Sequence, residues 1–244
     1  MQQISQPLAL EGTRNTRELG GYRSHSVGLL KKHSILRSDA LDKITARDAH
    51  FLSDYGVRCV IDLRFPEERR RFPDRMELFA PGVQYTPVSL QDPVRKKRYL
   101  EEFPPSMWEL YLWMLDDSQE EFRKILETIA FYSQDTVLFH CTGGKDRTGM
   151  VAMLLLGLAG VDDETIIGDY ALTETVMKDL FALQTKELEG RGLIVPQYIM
   201  QSPPSNMEKA LRHLSKRYGT AADYLAHIGL KRETIHALRE KMLD

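Results

Sequence analysis

The stretch TVLFHCTGGKDRTGM, residues 136–150, decides how the rest of the chain reads. Its first five residues, Thr136 to His140, are β-branched, apolar or aromatic, which predicts a short buried strand. From Thr148 the run TGMVAMLLLGLAG (148–160) is apolar on every side, which predicts a buried helix stopped near Gly160. A cysteine, two glycines, a lysine, an aspartate and an arginine fill the space between them. In an open α/β sheet, chemistry gathers at the carboxyl ends of strands, where loops lead into helix N-termini.

Residues 141–147 occupy such a loop. Successive backbone N–H groups beside the positive end of a helix dipole form a concave anion site. Gly143 and Gly144 suit it, because a loop wrapped around an anion needs unusual backbone angles and close approach. The same surroundings favour the thiolate of Cys141. A thiolate inside an anion site can attack the phosphorus of a bound phosphate ester and form a phosphocysteine, which water then hydrolyses. Arg147 offers a fork for two phosphoryl oxygens, and Thr148 a hydroxyl for the thiolate. His140 can orient the loop through its ring nitrogens, and Lys145 adds a second positive charge at the rim. A nucleotide-binding loop is excluded, since Asp146 and Arg147 stand where Gly-Lys must be followed directly by Ser or Thr.

Working outward, strands and helices alternate through the first two thirds of the chain. ITARDAHFLSDYG (44–56) predicts a helix capped by Thr45 and stopped at Gly56, VRCVIDLR (57–64) a strand, and PEERRR (66–71) a helix or turn begun by Pro66. VQYTPVSL (83–90) is a further strand. Gln91 to Pro105 reads as a mobile loop. PSMWELYLWMLDD (105–117) and SQEEFRKILETIAFYS (118–133) have helical apolar spacing, with Ser118 and Glu121 as a capping box for the second. Trp108 and Trp113 fall on the first of these as packing residues. Beyond Asp162 the chain is mainly helical. The expectation is a mostly parallel sheet flanked by helices, within a single domain over 1–244 whose residues 162–244 form a helical extension.

Composition agrees with an enzyme of this kind. With 244 residues, 42% of them hydrophobic, the chain can bury a full core, and a net charge of −2 gives no global field for nucleic acid. The basic runs ERRRF (68–72) and RKKR (95–98) read as solvated faces. The opening MQQISQPLALEGTRN lacks the apolar segment of a signal peptide, and the longest apolar run, Met150 to Ala159, is about half of what a bilayer crossing needs. Two cysteines are too few for a disulfide scaffold, so a reducing cytoplasm is expected. No spacing among His25, His33, His50, His213, His227 and His236 suggests a metal site, and no cofactor is implied.

HCTGGKDRTG resembles the His-Cys-(five residues)-Arg-Ser/Thr signature of the cysteine-dependent protein tyrosine phosphatase superfamily. Its Lys-Asp-Arg-Thr-Gly ending is similar to atypical bacterial tyrosine and lipid phosphatases typified by a secreted mycobacterial enzyme. NTRELGGY (15–22), ILRSDAL (35–41) and VIDLRFPEE (60–68) resemble that subfamily's other blocks in the same order. The resemblance implies Cys141 as nucleophile, Arg147 as phosphate binder, and activity that depends on Lys145 and Asp146. The loop residues His140, Thr142, Gly143, Gly144, Lys145 and Thr148 are then substrate-binding. Loop lysine and aspartate in that subfamily go with phosphoinositides as well as phosphotyrosine. Thr142, where tumour-suppressor-type lipid phosphatases carry a further lysine, argues against a strongly multi-phosphorylated substrate. Within the N-terminal block, LGGY reads as a glycine turn.

The general acid that protonates the leaving phenolate is left open. No Trp-Pro-Asp tripeptide occurs. Asp62 closes a strand beside the signature strand, with an ion pair to Arg64 as its bland reading. Asp146, second, equally suits orienting Arg147, and Asp92 is third. Cys59 reads as a small buried residue, with a protective disulfide to Cys141 as the other possibility. Three functions compete: a phosphatase acting on phosphotyrosine or phosphoinositides, a phosphate-binding module without turnover, and a rhodanese-like sulfurtransferase. The Arg-Thr-Gly continuation favours phosphate. Phosphorylated protein or lipid is the expected partner, without membrane insertion, and the oligomeric state is open.

Overall fold

The computed structural model describes residues 2–25, 28–90, 104–190, 192 and 194–243. The predicted loop of 91–105, with its basic run and Asp92, lies almost wholly outside the described residues. The chain opens with three short strands, β1 (Arg17–Glu18), β2 (Arg23–Ser24) and β3 (Gly28–Leu29), then β4 (Ile35–Ser38). Helix α1 (Ala46–Asp54), strand β5 (Val57–Asp62), helices α2 (Pro66–Arg71) and α3 (Met76–Phe79), and strand β6 (Gln84–Pro87) follow. Helices α4 (Met107–Asp117) and α5 (Gln119–Phe131) lead to strand β7 (Thr136–His140) and helix α6 (Asp146–Leu158). The remainder is α7 (Asp163–Gly190), a 3-10 turn (Gln197–Met200), α8 (Pro204–Tyr218), α9 (Ala221–His227) and α10 (Arg232–Met242).

Five strands form one sheet in the order β1-β4-β7-β5-β6. β4, β7, β5 and β6 run parallel, and β1 alone is antiparallel at its edge. β7 is central and buried on both faces, which explains why it reads as an unbroken apolar run. Alternate side chains serve opposite cores. Ile35, Cys59, Ile61, Val137 and Phe139 meet α4, α5, α6 and the C-terminal helices. Leu36, Val60 and Leu138 meet Ala49 and Leu52 of α1 and Met76 of α3. The fold is α/β, a mostly parallel sheet flanked by helices, with further helices at the C-terminal end.

Local signals explain most boundaries. Thr45 caps α1, accepting from the Asp48 amide while the Asp48 carboxylate accepts from the Thr45 amide. Pro66 begins α2. Gly160 ends α6 with φ +77°. The capping box expected at Ser118 does not form. Ser118 links α4 directly to α5 with φ −110° and ψ 35°, and its hydroxyl makes no cap bond because the backbone never becomes extended there. Trp108 lies under Lys209 of α8, 4.5 Å from ring centroid to ammonium, and packs α4 on α8. No helix among the described residues is long and apolar enough to cross a membrane.

Truncation of a central side chain should cost far more than loss of a cap. Leu138→Ala, fully buried on β7, is expected to lower unfolding free energy by about 2–5 kcal/mol. Thr45→Ala should cost about 1 kcal/mol, with both read from urea denaturation.

Candidate active site

Cys141 leaves the carboxyl end of β7 at 2% exposure, and helix α6 begins five residues later at Asp146. The loop between them is tight because glycine permits it. Gly144 has φ +63°, and a Cβ there would lie 2.6 Å from the Ser38 carbonyl oxygen. At Gly143 a Cβ would come within 3.0 Å of the Phe181 ring. Asn15 Nδ2 donates to the carbonyls of Gly143 and Gly144 at 3.0 and 3.2 Å, and Arg37 donates to that of Gly144 at 2.6 Å. The N-terminal block and ILRSDAL therefore reach the loop's outer side.

Arg147 folds back over the loop toward Glu68, donating from its two terminal nitrogens at 2.7 and 2.9 Å. It also meets the Thr142 hydroxyl at 3.3 Å and lies over the Phe65 ring. Burial opposes the guanidinium charge, but Glu68, and with it Cys141, outweighs burial and raises the Arg147 pKa. Burial likewise works against the Glu68 carboxylate, yet Arg147 and the Thr142 hydroxyl hold it down at about 2. Glu68 is a site residue that sequence reasoning missed. It stood inside a charged run read as solvated, and Arg70 and Arg71 beside it are indeed exposed. Its place in the VIDLRFPEE block was the available signal.

A cavity of about 250 Å³ opens beside Thr142 and Glu68, walled by Asp39, Arg64, Leu180 and Leu183. Burial pushes Asp39 up to about 6 against the amides of Asn15 and Arg14 that it accepts from.

Several expected residues sit elsewhere. Lys145 is not at the rim: it is 2% exposed, and its ammonium donates to the carbonyls of Ile199 and, at 2.9 Å, Gln201. A buried ammonium needs acceptors, and the turn before α8 supplies them, with the Phe181 ring 5.7 Å away. The Thr148 hydroxyl is buried without a hydrogen-bond partner, so it does not bond Cys141 here. His140 lies behind the loop, Nδ1 3.1 Å from the Cys141 carbonyl oxygen and Nε2 3.1 Å from Asp74. Burial disfavours its charged form, but Asp62 and Asp74 outweigh this and raise its pKa.

The two described acid candidates differ sharply. Asp62 is sealed in an ion pair with Arg64: Oδ1 accepts from Nε at 3.0 Å and Oδ2 from a terminal nitrogen at 2.7 Å. Tyr85 adds a hydroxyl at 2.7 Å. Burial opposes its charge, but His140 and Arg64 hold the carboxyl well below the usual range. With both oxygens taken by Arg64 and Tyr85, the ion-pair reading is the one this geometry fits. Asp146, with a side chain 26% exposed at the N-terminus of α6, accepts from the buried Tyr111 hydroxyl and lies 3.6 Å from the Lys145 ammonium. Asp92 lies outside the described residues. A Cys59–Cys141 disulfide does not fit either. Cys59 is in register with Val137, and Cys141 lies four residues further on, roughly 13 Å at about 3.3 Å per residue, whereas a disulfide needs about 7 Å or less between Cα atoms.

Comparison with known proteins shows the family. A model of the tyrosine phosphatase family matches residues 8–244. The chain belongs to that family. A tyrosine-protein phosphatase of Nostoc commune is 32% identical over 222 residues, covering 86% of this chain and 74% of that one. The triple specificity protein phosphatase PtpB of Mycobacterium tuberculosis is 26% identical over 120 residues, 44% of each chain. The crystal structure of P. aeruginosa TpbA aligns with a TM-score of 0.46 at 12% identity, over 93% of this chain and 97% of that one. This tyrosine phosphatase is a phosphoric monoester hydrolase of the protein-tyrosine-phosphatase type, and phosphocysteine chemistry is consistent with the family.

The Glu68–Arg147 pair sets an acid limit on stability. A carboxyl lowered from the ordinary 4.5 to about 2 contributes stability that is present above about 4.5 and lost as pH falls toward about 2. Glu68→Gln should flatten the decline in unfolding free energy across that window, measured by urea titration at a series of pH values.

Proposed function

We propose that this phosphatase acts on phosphotyrosine in proteins or peptides, with Cys141 as nucleophile, Arg147 as phosphoryl clamp and Asp146 as general acid. One observation carries the reading. Cys141 stands at the end of a central strand in a glycine loop, and the guanidinium of Arg147 reaches back to the Thr142 hydroxyl of that loop at 3.3 Å. The Cys141 sulfur attacks phosphorus as the phosphorus–oxygen bond to the phenol breaks, and Asp146 gives its proton to the leaving oxygen. Water then attacks the phosphocysteine, returning its proton to Asp146, and the sulfur–phosphorus bond breaks to release phosphate and thiolate. Arg147 neutralises charge on the equatorial oxygens while Glu68 keeps its fork in plane. No step requires a cofactor.

Phosphotyrosine is favoured over phosphoinositide by charge. Lys145, the loop cation that a second phosphate would need, is buried against two carbonyls. The adjoining cavity is walled by Asp39, Asp42, Glu68 and Glu187 against Lys43 and Arg64, so it offers no excess of positive charge to a multiply charged head group. The same reading treats 1–244 as one phosphatase domain, since Tyr224 and Leu238 share a core with Val137 and Phe139 of β7.

Phosphate release from a phosphotyrosine peptide and from phosphoinositides, with EDTA present, tests this directly. Activity on the peptide that disappears in Cys141→Ser supports the reading, and preference for the lipids overturns its substrate. Asp146→Asn should lower kcat by roughly 10²- to 10⁴-fold on the peptide and less on an activated aryl phosphate, whose leaving group needs no proton. Asp62→Asn should instead lower the thermal midpoint with a smaller change in kcat, and an equal kcat loss in Asp62→Asn would reverse the assignment of the acid.

A further inference from the structure

We propose that Asn15 and Arg37, with Asp169 and Arg17 holding them, are positioning residues that aim the backbone N–H groups of the phosphate loop at the substrate. Such a role presupposes the phosphate site proposed above and follows from peptide geometry. No described peptide bond is cis, and in a planar trans peptide the carbonyl oxygen and the following N–H point in opposite directions. Fixing the carbonyls of residues 142, 143 and 144 outward therefore turns the N–H groups of Gly143, Gly144 and Lys145 inward. Each of those carbonyls has a donor. The Thr142 oxygen accepts from the Ala40 amide at 3.1 Å. The Gly143 oxygen accepts from Asn15 Nδ2 at 3.0 Å, and the Gly144 oxygen accepts from Asn15 Nδ2 at 3.2 Å and from Arg37 at 2.6 Å.

The donors are themselves aimed. Arg17 donates to Asn15 Oδ1, which leaves the Asn15 amide nitrogen facing the loop. Arg17 also donates to Asp169 Oδ1 at 2.9 Å and to the Asp169 carbonyl at 2.6 Å, and Arg37 pairs with Asp169 Oδ2. Asn15, Arg17 and Arg37 are wholly buried and Asp169 is 1% exposed, so water cannot replace any member. None of the four needs to touch the substrate. Their effect passes through two peptide groups, Gly143–Gly144 and Gly144–Lys145, while the Ala40 amide holds the Thr142–Gly143 peptide. In an apolar surrounding, a loop carbonyl that lost its donor would turn toward water in the site, carrying its acceptor oxygen to where the phosphoryl oxygens must lie.

The decisive measurement is tungstate binding by calorimetry, alongside kcat and KM on the phosphotyrosine peptide and the thermal midpoint, for wild type, Asn15→Ala and Arg37→Lys. Tungstate mimics the phosphoryl group without turnover, so its affinity reports on the loop even if the phosphotyrosine reading fails. Asn15→Ala is expected to weaken tungstate binding and kcat/KM together by roughly 10- to 100-fold in the folded protein. Arg37→Lys keeps a charged donor toward Gly144 and Asp169 and should fall between Asn15→Ala and wild type. Tungstate affinity unchanged in folded Asn15→Ala would overturn the proposal, as would a lowered thermal midpoint with full affinity in the remaining folded fraction. If Asn15→Ala does not fold, Arg37→Lys decides alone: weakened tungstate binding supports the positioning role, and wild-type binding rejects it.

Discussion

A loop that binds a dianion with its amides must present its carbonyls to the protein interior, and buried carbonyls require donors. Much of this molecule follows from that constraint. The donors come from Asn15 and Ala40, on the segments flanking β1 and β4, and from Arg37 within β4, the strand that pairs directly with β7. The N-terminal segment is thus part of the site's architecture although it lies more than a hundred residues from Cys141 in sequence.

Placing two guanidiniums in a dry interior has its own requirement. Each isolated charge would cost several kcal/mol, so a shared carboxylate is needed, and Asp169 of α7 bonds both arginines. Burial together with Arg17 still pushes the Arg37 pKa below its ordinary value, while Arg17 and Arg37 hold Asp169 below its own against its burial. The helix carrying Asp169 also carries Leu180 and Leu183, which wall the cavity beside Thr142. One ion cluster therefore ties the loop's back and the cleft's side wall into a single unit.

Lys145 and Asp146 extend the same logic toward the C-terminal helices. Lys145 binds the turn before α8 through two carbonyls, while Asp146 reaches Tyr111 of α4, whose hydroxyl meets that of Tyr170 at 2.7 Å. The two charges also meet each other, the Lys145 ammonium lying 3.6 Å from Asp146 Oδ1. The lysine is buried, and the aspartate side chain stays 26% exposed.

The strand-loop-helix around Cys141, the alternating elements, the Thr45 cap and the stop at Gly160 were legible in sequence because each depends on neighbours in the chain. The strand β4 was not, since four residues carry too little periodicity. Nor was the partnership of Arg147 with Glu68, which read as surface charge, or the sealing of Asp62 by Arg64, which stood as one of two readings. By itself the sequence pointed to phosphate chemistry, since Cys141, Arg147 and two glycines lie within seven consecutive residues. Only tertiary structure decided which charges face the substrate and which face the interior. That choice rests on burial and on partners brought from distant elements, and local spacing carries no record of either.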